Sequence, residues 1–413
     1  MKTTTTLLLA SLLLATAADA ATRRVPKDHA TIQAAINASL PGDRVIVSPG
    51  TYDEIVTINT ARLRLEGKKG KPVVIDARVV PAGSGAGLRV FADDVVVENV
   101  TVRHALATAV LVTNSDLGIG VLVEADNVTL KNVTALNSGH VGFVVIGARA
   151  KIDRCEVRSA SGGIGVVGDD ALVRRTKVRL IKSMGIDVTG DRARIEKSTV
   201  AATGVHGITI TGNQATIRKC AQRFAPGAGL MIDGDDARIE KSRSRYAQVG
   251  AMLDNATNGR VDRIRAEHSS HSGIYIQSAV GCRIERSKST ASMLAGVVMD
   301  GNGNTTRKTK AKNGGGDGIV TDGTNNRIES CSAKRNQEDG IFVTPLSSNT
   351  LLSKNVLVGN HAEGIDNRGG SSTARKNRVS KSRLDISSAN AWTQFSGNKF
   401  KSGGPSTPAE MDD

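Results

Sequence analysis

A glycine followed by alternating apolar residues returns along this chain about every 22 residues, and no other feature restricts the fold as much. From Gly120 to Gly364 the steps stay between 21 and 24 residues. Positions one and three after each glycine are mostly apolar, as in Ile186/Val188, Ile208/Ile210 and Ile274/Ile276. That is strand alternation with one face buried. A turn such as Asp233-Gly-Asp-Asp follows, and a second apolar anchor comes in phrases such as Arg194-Ile-Glu-Lys. Short strands at this period exclude helical solenoids, whose repeats run at roughly 33 to 47 residues. The Leu-x-Leu-x-x-Asn signature of leucine-rich repeats is missing. The pattern predicts an all-β fold, a single-stranded right-handed parallel β-helix of about a dozen stacked coils.

Composition agrees with one long solenoid rather than several globular domains. The 413 residues hold 44 glycines but only six Phe, three Tyr and one Trp, so the core must be built from stacked aliphatic side chains. Residues 1–20 read as an export signal, with Lys2, an apolar core from Leu7 to Leu14, and Ala18-Asp19-Ala20 as the cleavage site. A secreted or periplasmic location follows as an expectation, with no transmembrane segment elsewhere. The β-helix is expected over 21–400. A capping helix is expected at about 28–40, where Ile32, Ala35 and Ile36 share a face. An aromatic plug of Trp392, Phe395 and Phe400 is expected at about 383–400, and a disordered tail over 401–413.

Aligning the coils by their glycines places Val133, Cys155, Thr176, Ser198, Cys220, Ser242 and their later equivalents in one inward column. Cys155, Cys220 and Cys331 then lie several coils apart, at about 4.8 Å per coil, and a disulfide needs Cα atoms within about 7 Å. They read as buried thiols, while Cys282 reads as a more exposed residue in a turn.

The residue before that column is basic in eight consecutive coils: Arg154, Arg175, Lys197, Lys219, Lys241, Arg263, Arg286 and Lys308. Stacked like charges repel. A chain with 55 Lys and Arg against 40 Asp and Glu, net +15, suits an anionic partner. The expected ligand is an anionic polysaccharide tracking along this edge; the alternative is a solvated face that only keeps the fibre soluble. Nucleic acid is not expected, because no aromatic stacking platform is evident. An outward stripe that includes Met231, Tyr275 and Phe342 could contact carbohydrate or an envelope protein. Asp317, Asp339 and Glu363 share a register in three coils and are candidates for Ca²⁺; ordinary turn chemistry of Asp before Gly is the favoured explanation.

The opening Ile32-Gln-Ala-Ala-Ile-Asn, Pro41-Gly-Asp and Val47-Ser-Pro-Gly-Thr-Tyr52, with Asn336 to Ile341 and Asn390-Ala-Trp, resemble secreted pectin-lyase-like β-helix proteins. That resemblance implies the fold and leaves the activity open. Val205-His206-Gly207 is similar to a polygalacturonase segment, but Ser183 and Met184 stand where paired aspartates are needed. The Asp-Pro-His-Asp run of uronan epimerases is absent. The sequence therefore favours a binding protein without an identifiable catalytic centre. A polysaccharide lyase or epimerase, or an envelope scaffold, are the alternatives.

Overall fold

A computed structural model describes residues 20–79, 85–104, 118–389 and 392–401. The expected signal (all but Ala20), the expected tail (all but Lys401) and Asn390 lie outside them.

Most coils carry three strands. In the coil of Gly185 they are a glycine strand, Ile186–Thr189, an anchor strand, Arg194–Glu196, and a corner strand, Thr199–Thr203. Every strand pairs in parallel with its equivalents one coil away. Ile186 opposes Ile208, Ile195 opposes Ile217, and Val200 opposes Gln222. Anchor strands form one 17-stranded sheet; glycine and corner strands form a 29-stranded network. The molecule is a parallel solenoid of about 16 coils. That is more than the expected dozen, because early coils of irregular length escape the glycine period. Their anchors Val45, Leu65 and Val97 are nonetheless in register with Leu130.

The interior is the stacked aliphatic column that the scarcity of aromatics requires. Ile186, Ile195 and Val200 are fully buried, and each such side chain gains about 1.5–3 kcal/mol over an exposed one. Thr306 holds an anchor position without disrupting the column, because its hydroxyl donates to Met299 Sδ at 2.9 Å. Glycine recurs for lack of room. At Gly185 a Cβ would stand 2.4 Å from Val200 Cγ1 and 2.5 Å from the Gly207 carbonyl oxygen of the next coil.

The ends are covered as expected. A helix, Ile32–Asn37, starts where the Thr31 hydroxyl accepts from Ala34 N, and it buries Ile32, Ala35 and Ile36. The Glu54 carboxylate accepts from Ile32 N and Gln33 N, both at 2.9 Å, and ties the helix to the first coils. At the other end Trp392, Phe395 and Phe400 pack half-buried against the core, with Phe395 and Phe400 stacked at 6.1 Å. Among the described residues no helix is long and apolar enough to cross a membrane.

The inward column lies where the alignment places it, and Cys155, Cys220 and Cys331 are unpaired and buried. Burial pushes their thiols up to about 12. Cys282 departs from expectation: it is fully buried, not exposed. Its Sγ accepts from Gly259 N at 3.1 Å and donates to the Ala256 carbonyl at 3.2 Å. The turn that holds it folds inward, so a slender thiol fits there as Asn304 does one coil later.

Candidate functional site

Between anchor and corner strands the chain turns on a single left-handed residue, and this corner carries the basic column. Arg154, Arg175, Lys197, Lys219, Lys241, Arg263, Arg286 and Lys308 have φ between +49° and +57°. Two earlier coils show what the backbone takes when only the turn matters. There Asn99 and Asn132 occupy the corner with φ of 59° and 54°. Asn132 Nδ2 donates to Asn99 Oδ1 at 3.0 Å, forming a ladder. Asn tolerates this conformation better than long side chains do. From Arg154 onward the chain replaces a self-bonded ladder with cations that repel one another. Nothing in the turn requires that exchange.

The following residue points inward and closes the corner. Cys220 N donates to Ser242 Oγ at 3.0 Å and Ile264 N to Ser287 Oγ at 3.1 Å, so the columns are locked in register. The residue after that points outward again, and it forms a second basic row that the sequence reading missed. Arg243, Arg265, Lys288 and Lys310 oppose one another on successive corner strands. Between this row and Lys241, Arg263, Arg286 and Lys308 runs a groove of about 710 Å³, with eight basic side chains and no acid in its lining. The signal was available two positions beyond the first column, but scoring one column at a time did not reveal paired rows.

Part of the charge is neutralised locally. Arg263 and Arg286 each approach Asp262 at 2.8 Å. Burial raises the Asp262 carboxyl, and the two guanidinium bonds outweigh that and hold it below its ordinary range. Arg175 pairs with Asp153 at 2.9 Å. Lys197, Lys219, Lys241 and Lys308 join no ion pair among the described residues. Further along the same face the Lys312 ammonium is pushed down by desolvation and by Lys310, Lys334 and Lys288. The lysines of this face therefore carry positive charge that joins no ion pair among the described residues.

The acidic candidates sit elsewhere, before the glycine strands. Asp317 Oδ1 accepts from Asp339 N at 2.9 Å, and Asp339 Oδ1 accepts from Glu363 N at 2.8 Å. The turn acids Asp126, Asp169 and Asp191 accept next-coil amides in the same way. Burial raises Asp317 to about 6, and it raises Asp339, which also bonds the Glu363 carboxyl, to about 8. The group with ligand oxygens within 4.8 Å of one another is Asp339, Glu363 and Asp366, so Asp366 replaces Asp317 in the expected set. Carboxylates are the right donors for Ca²⁺. Here, however, Asp366 holds Arg368 at 2.8 Å, and burial beside the Glu363 carboxyl raises Asp339 above the ordinary carboxylate range, which opposes the ionised form a cation needs.

The stripe of Met231, Tyr275 and Phe342 lies along the glycine strands, half-buried rather than open, with the Arg368 guanidinium 5.2 Å from the Phe342 ring centre. His206 Nδ1 accepts from Ala228 N at 2.9 Å, a structural use of that ring. One premise of the sequence reading is overturned, because a stacked aromatic ladder does exist. Phe224, Tyr246 and His268 stack in successive coils at 4.9 and 5.1 Å. Their spacing of 22 residues was legible, but the rings precede the glycine by varying offsets and were not aligned.

Among curated proteins none matches the sequence. Solved structures with similar coils include a DFA-IIIase from Arthrobacter chlorophenolicus, crystallised without its lid in complex with GF2. It is 12% identical, covers 83% of this chain and 95% of its own, and has a TM-score of 0.42. The A-module of mannuronan C-5 epimerase AlgE6 from Azotobacter vinelandii is 14% identical over 92% and 95%, with a TM-score of 0.41. The periplasmic alginate epimerase AlgG is 15% identical over 89% and 77%, with a TM-score of 0.39. The profile described as the right handed beta helix region matches residues 118–224 and 228–383, more than half of the sequence. On that match and on the parallel coils themselves, the chain belongs to the right-handed β-helix family.

Proposed function

We propose that this protein binds an anionic polysaccharide along the groove between its two basic rows, and that it does so outside the cytoplasm. The supporting observation is the exchange at the corner. A position that Asn99 and Asn132 fill with a self-bonded ladder is given to Lys and Arg for eight coils, beside a groove free of acids. Repulsion and left-handed strain oppose that exchange most at Lys197, Lys219, Lys241 and Lys308, which join no ion pair among the described residues, and binding of an anion there would offset both. Coils repeat at about 4.8 Å, close to the rise of one sugar in an extended polyuronate. An extended chain lying along the fibre axis can therefore stay beside the basic rows over many coils.

The test is retention on immobilised polyuronate over a salt gradient, comparing the protein with a Lys197→Asn/Lys219→Asn/Lys241→Asn/Lys308→Asn variant. Binding at low salt that weakens steeply with added salt, and is lost in the variant while folding persists, supports the reading. Equal retention of both proteins would sink it.

An enzymatic reading on the same polymers, as a lyase or epimerase, rests on the glycine face. There burial beside Glu363 raises the Asp339 carboxyl above its ordinary range, and three coils earlier Tyr275 stacks on His271 at 6.4 Å. Ultraviolet-absorbing unsaturated uronate released from a polyuronate panel would establish lyase action, and exchange of solvent deuterium into the polymer would establish epimerisation.

A further inference from the structure

The Phe224–Tyr246–His268 ladder lies at the far edge of the corner sheet from the basic corner, and the fold does not demand rings there. All three residues are left-handed, with φ of 60°, 54° and 55°. For bulky side chains that conformation is an outlier. Other coils fill this corner with Asn137, Ser159, Asn313 or Gly359, which suit it better, and with Leu180, Ala202, Ala291 or Arg335, so no ring is required there. Yet two of the chain's ten aromatic residues are placed here, 45% and 43% exposed.

The local backbone is also exceptional. Strands Ala221–Asp233 and Arg243–Asp254 run unbroken through the corner, and their register shifts between Ala225 and Ala228, on either side of Pro226. Such irregularities re-aim side chains and recur beside functional surfaces. Alongside lies a groove of about 440 Å³, lined by the three rings with Thr203, Gln248 and Ser270.

The stacking geometry leaves ring surface available. The planes are within 11° of parallel, but the centroids are 4.9 and 5.1 Å apart. Carbon atoms in contact approach to about 3.5–4.0 Å, so the rings do not seal one another off, and Phe224 and Tyr246 remain 45% and 43% exposed. Arg223 contributes a cation 4.6 Å from the Phe224 centroid. Arg243 of the basic groove and Tyr246 lie on one strand, three residues and about 10 Å apart. That separation runs along the strand, across the fibre axis, so a chain lying on the rings along that axis has the row of Arg223 and Arg245 between it and the basic groove.

From this juxtaposition we infer that the ladder is a sugar-ring platform that makes the site selective for ring-bearing polyanions, an inference that rests on the polysaccharide reading above. The C–H face of a pyranose packs on the exposed ring surface. Thr203, Gln248 and Ser270 face its hydroxyls, and its carboxylate or sulfate turns toward Arg223 and the basic rows. A polyanion without rings would use the cations alone.

The experiment measures affinities of the full-length protein and a Phe224→Asn/Tyr246→Asn variant for polygalacturonate, for polyphosphate and for oligothymidylate, at one ionic strength. Asn suits the left-handed corner, so the variant is expected to melt no lower than the wild type. The inference expects polygalacturonate binding to fall about tenfold or more in the variant while polyphosphate binding stays within about twofold. Equal losses for both, or no loss for either, would overturn the platform and leave the basic groove standing. Failure of the wild type to bind either polymer at low salt would overturn both readings. Tighter binding of oligothymidylate than of polygalacturonate, lost in the variant, would assign the ladder to nucleic-acid bases and overturn the sugar assignment.

Discussion

At the corner between anchor and corner strands a lysine is at its least comfortable and an asparagine at its most. Lys241 has a φ of 51°, joins no ion pair among the described residues, and faces Lys219 and Arg263 in the adjoining coils. Lys241→Asn should therefore raise stability by a few tenths to about 1 kcal/mol in urea denaturation. Lys241→Val should lower it by roughly 1–2 kcal/mol, because a β-branched residue resists the left-handed region. Asp339 allows a test in pH. Its folded-state value lies near 8 and that of Asp317 near 6, both raised above the ordinary carboxylate value. Groups raised in this way favour the folded state below their unfolded value of about 4. They lose that contribution as pH rises through the folded values. Melting temperature should thus decline between about pH 4 and pH 8 more in the wild type than in Asp339→Asn, whose amide oxygen can still accept from Glu363 N. The four thiols, all buried with raised pKa, should be silent to a thiol reagent in the native state and react together on unfolding.

Among the elements, the glycine strand is the least tolerant of change. Gly185→Ala would drive a methyl group against both Val200 Cγ1 and the Gly207 carbonyl, so thermal melting should show loss of several kcal/mol or failure to fold. On the anchor strand Ile217→Ala, emptying a fully buried position, should cost about 2–5 kcal/mol. These strands were also the most legible in sequence, because a glycine required by contact and an alternation required by burial repeat at a fixed interval. Val45, Leu65 and Val97 stack just as well, but irregular spacing concealed them from a period search. Cys282 misled for a related reason: its turn residues look exposed in composition, and only the inward course of the turn buries the thiol. The basic corner was visible, since a column needs only alignment. Its partner row and the aromatic ladder were not, because a groove arises when two columns are placed across a strand. Asp366 joined the acidic group unnoticed, since it lies two residues beyond Gly364 while Asp339 and Glu363 stand immediately before their glycines.

For the whole molecule, stability is a chain of interfaces between adjacent coils, without a single centre. Charge is distributed by corner instead of by end. Basic rows occupy one flank of the fibre, and the acids that accept next-coil amides occupy the turns and the glycine face. The eight consecutive cations make the proposed binding flank a graduated scale. Each coil adds one more identical notch, so oligouronates should bind more tightly with each added sugar until the ligand spans the basic run. Beyond that length the free energy per molecule should level off, apart from the statistical gain of several starting registers. Removing one interior coil should shorten that plateau by a single sugar unit without altering the steps below it. A globular pocket reads the shape of its ligand, whereas a surface built by repetition can read how long the ligand is.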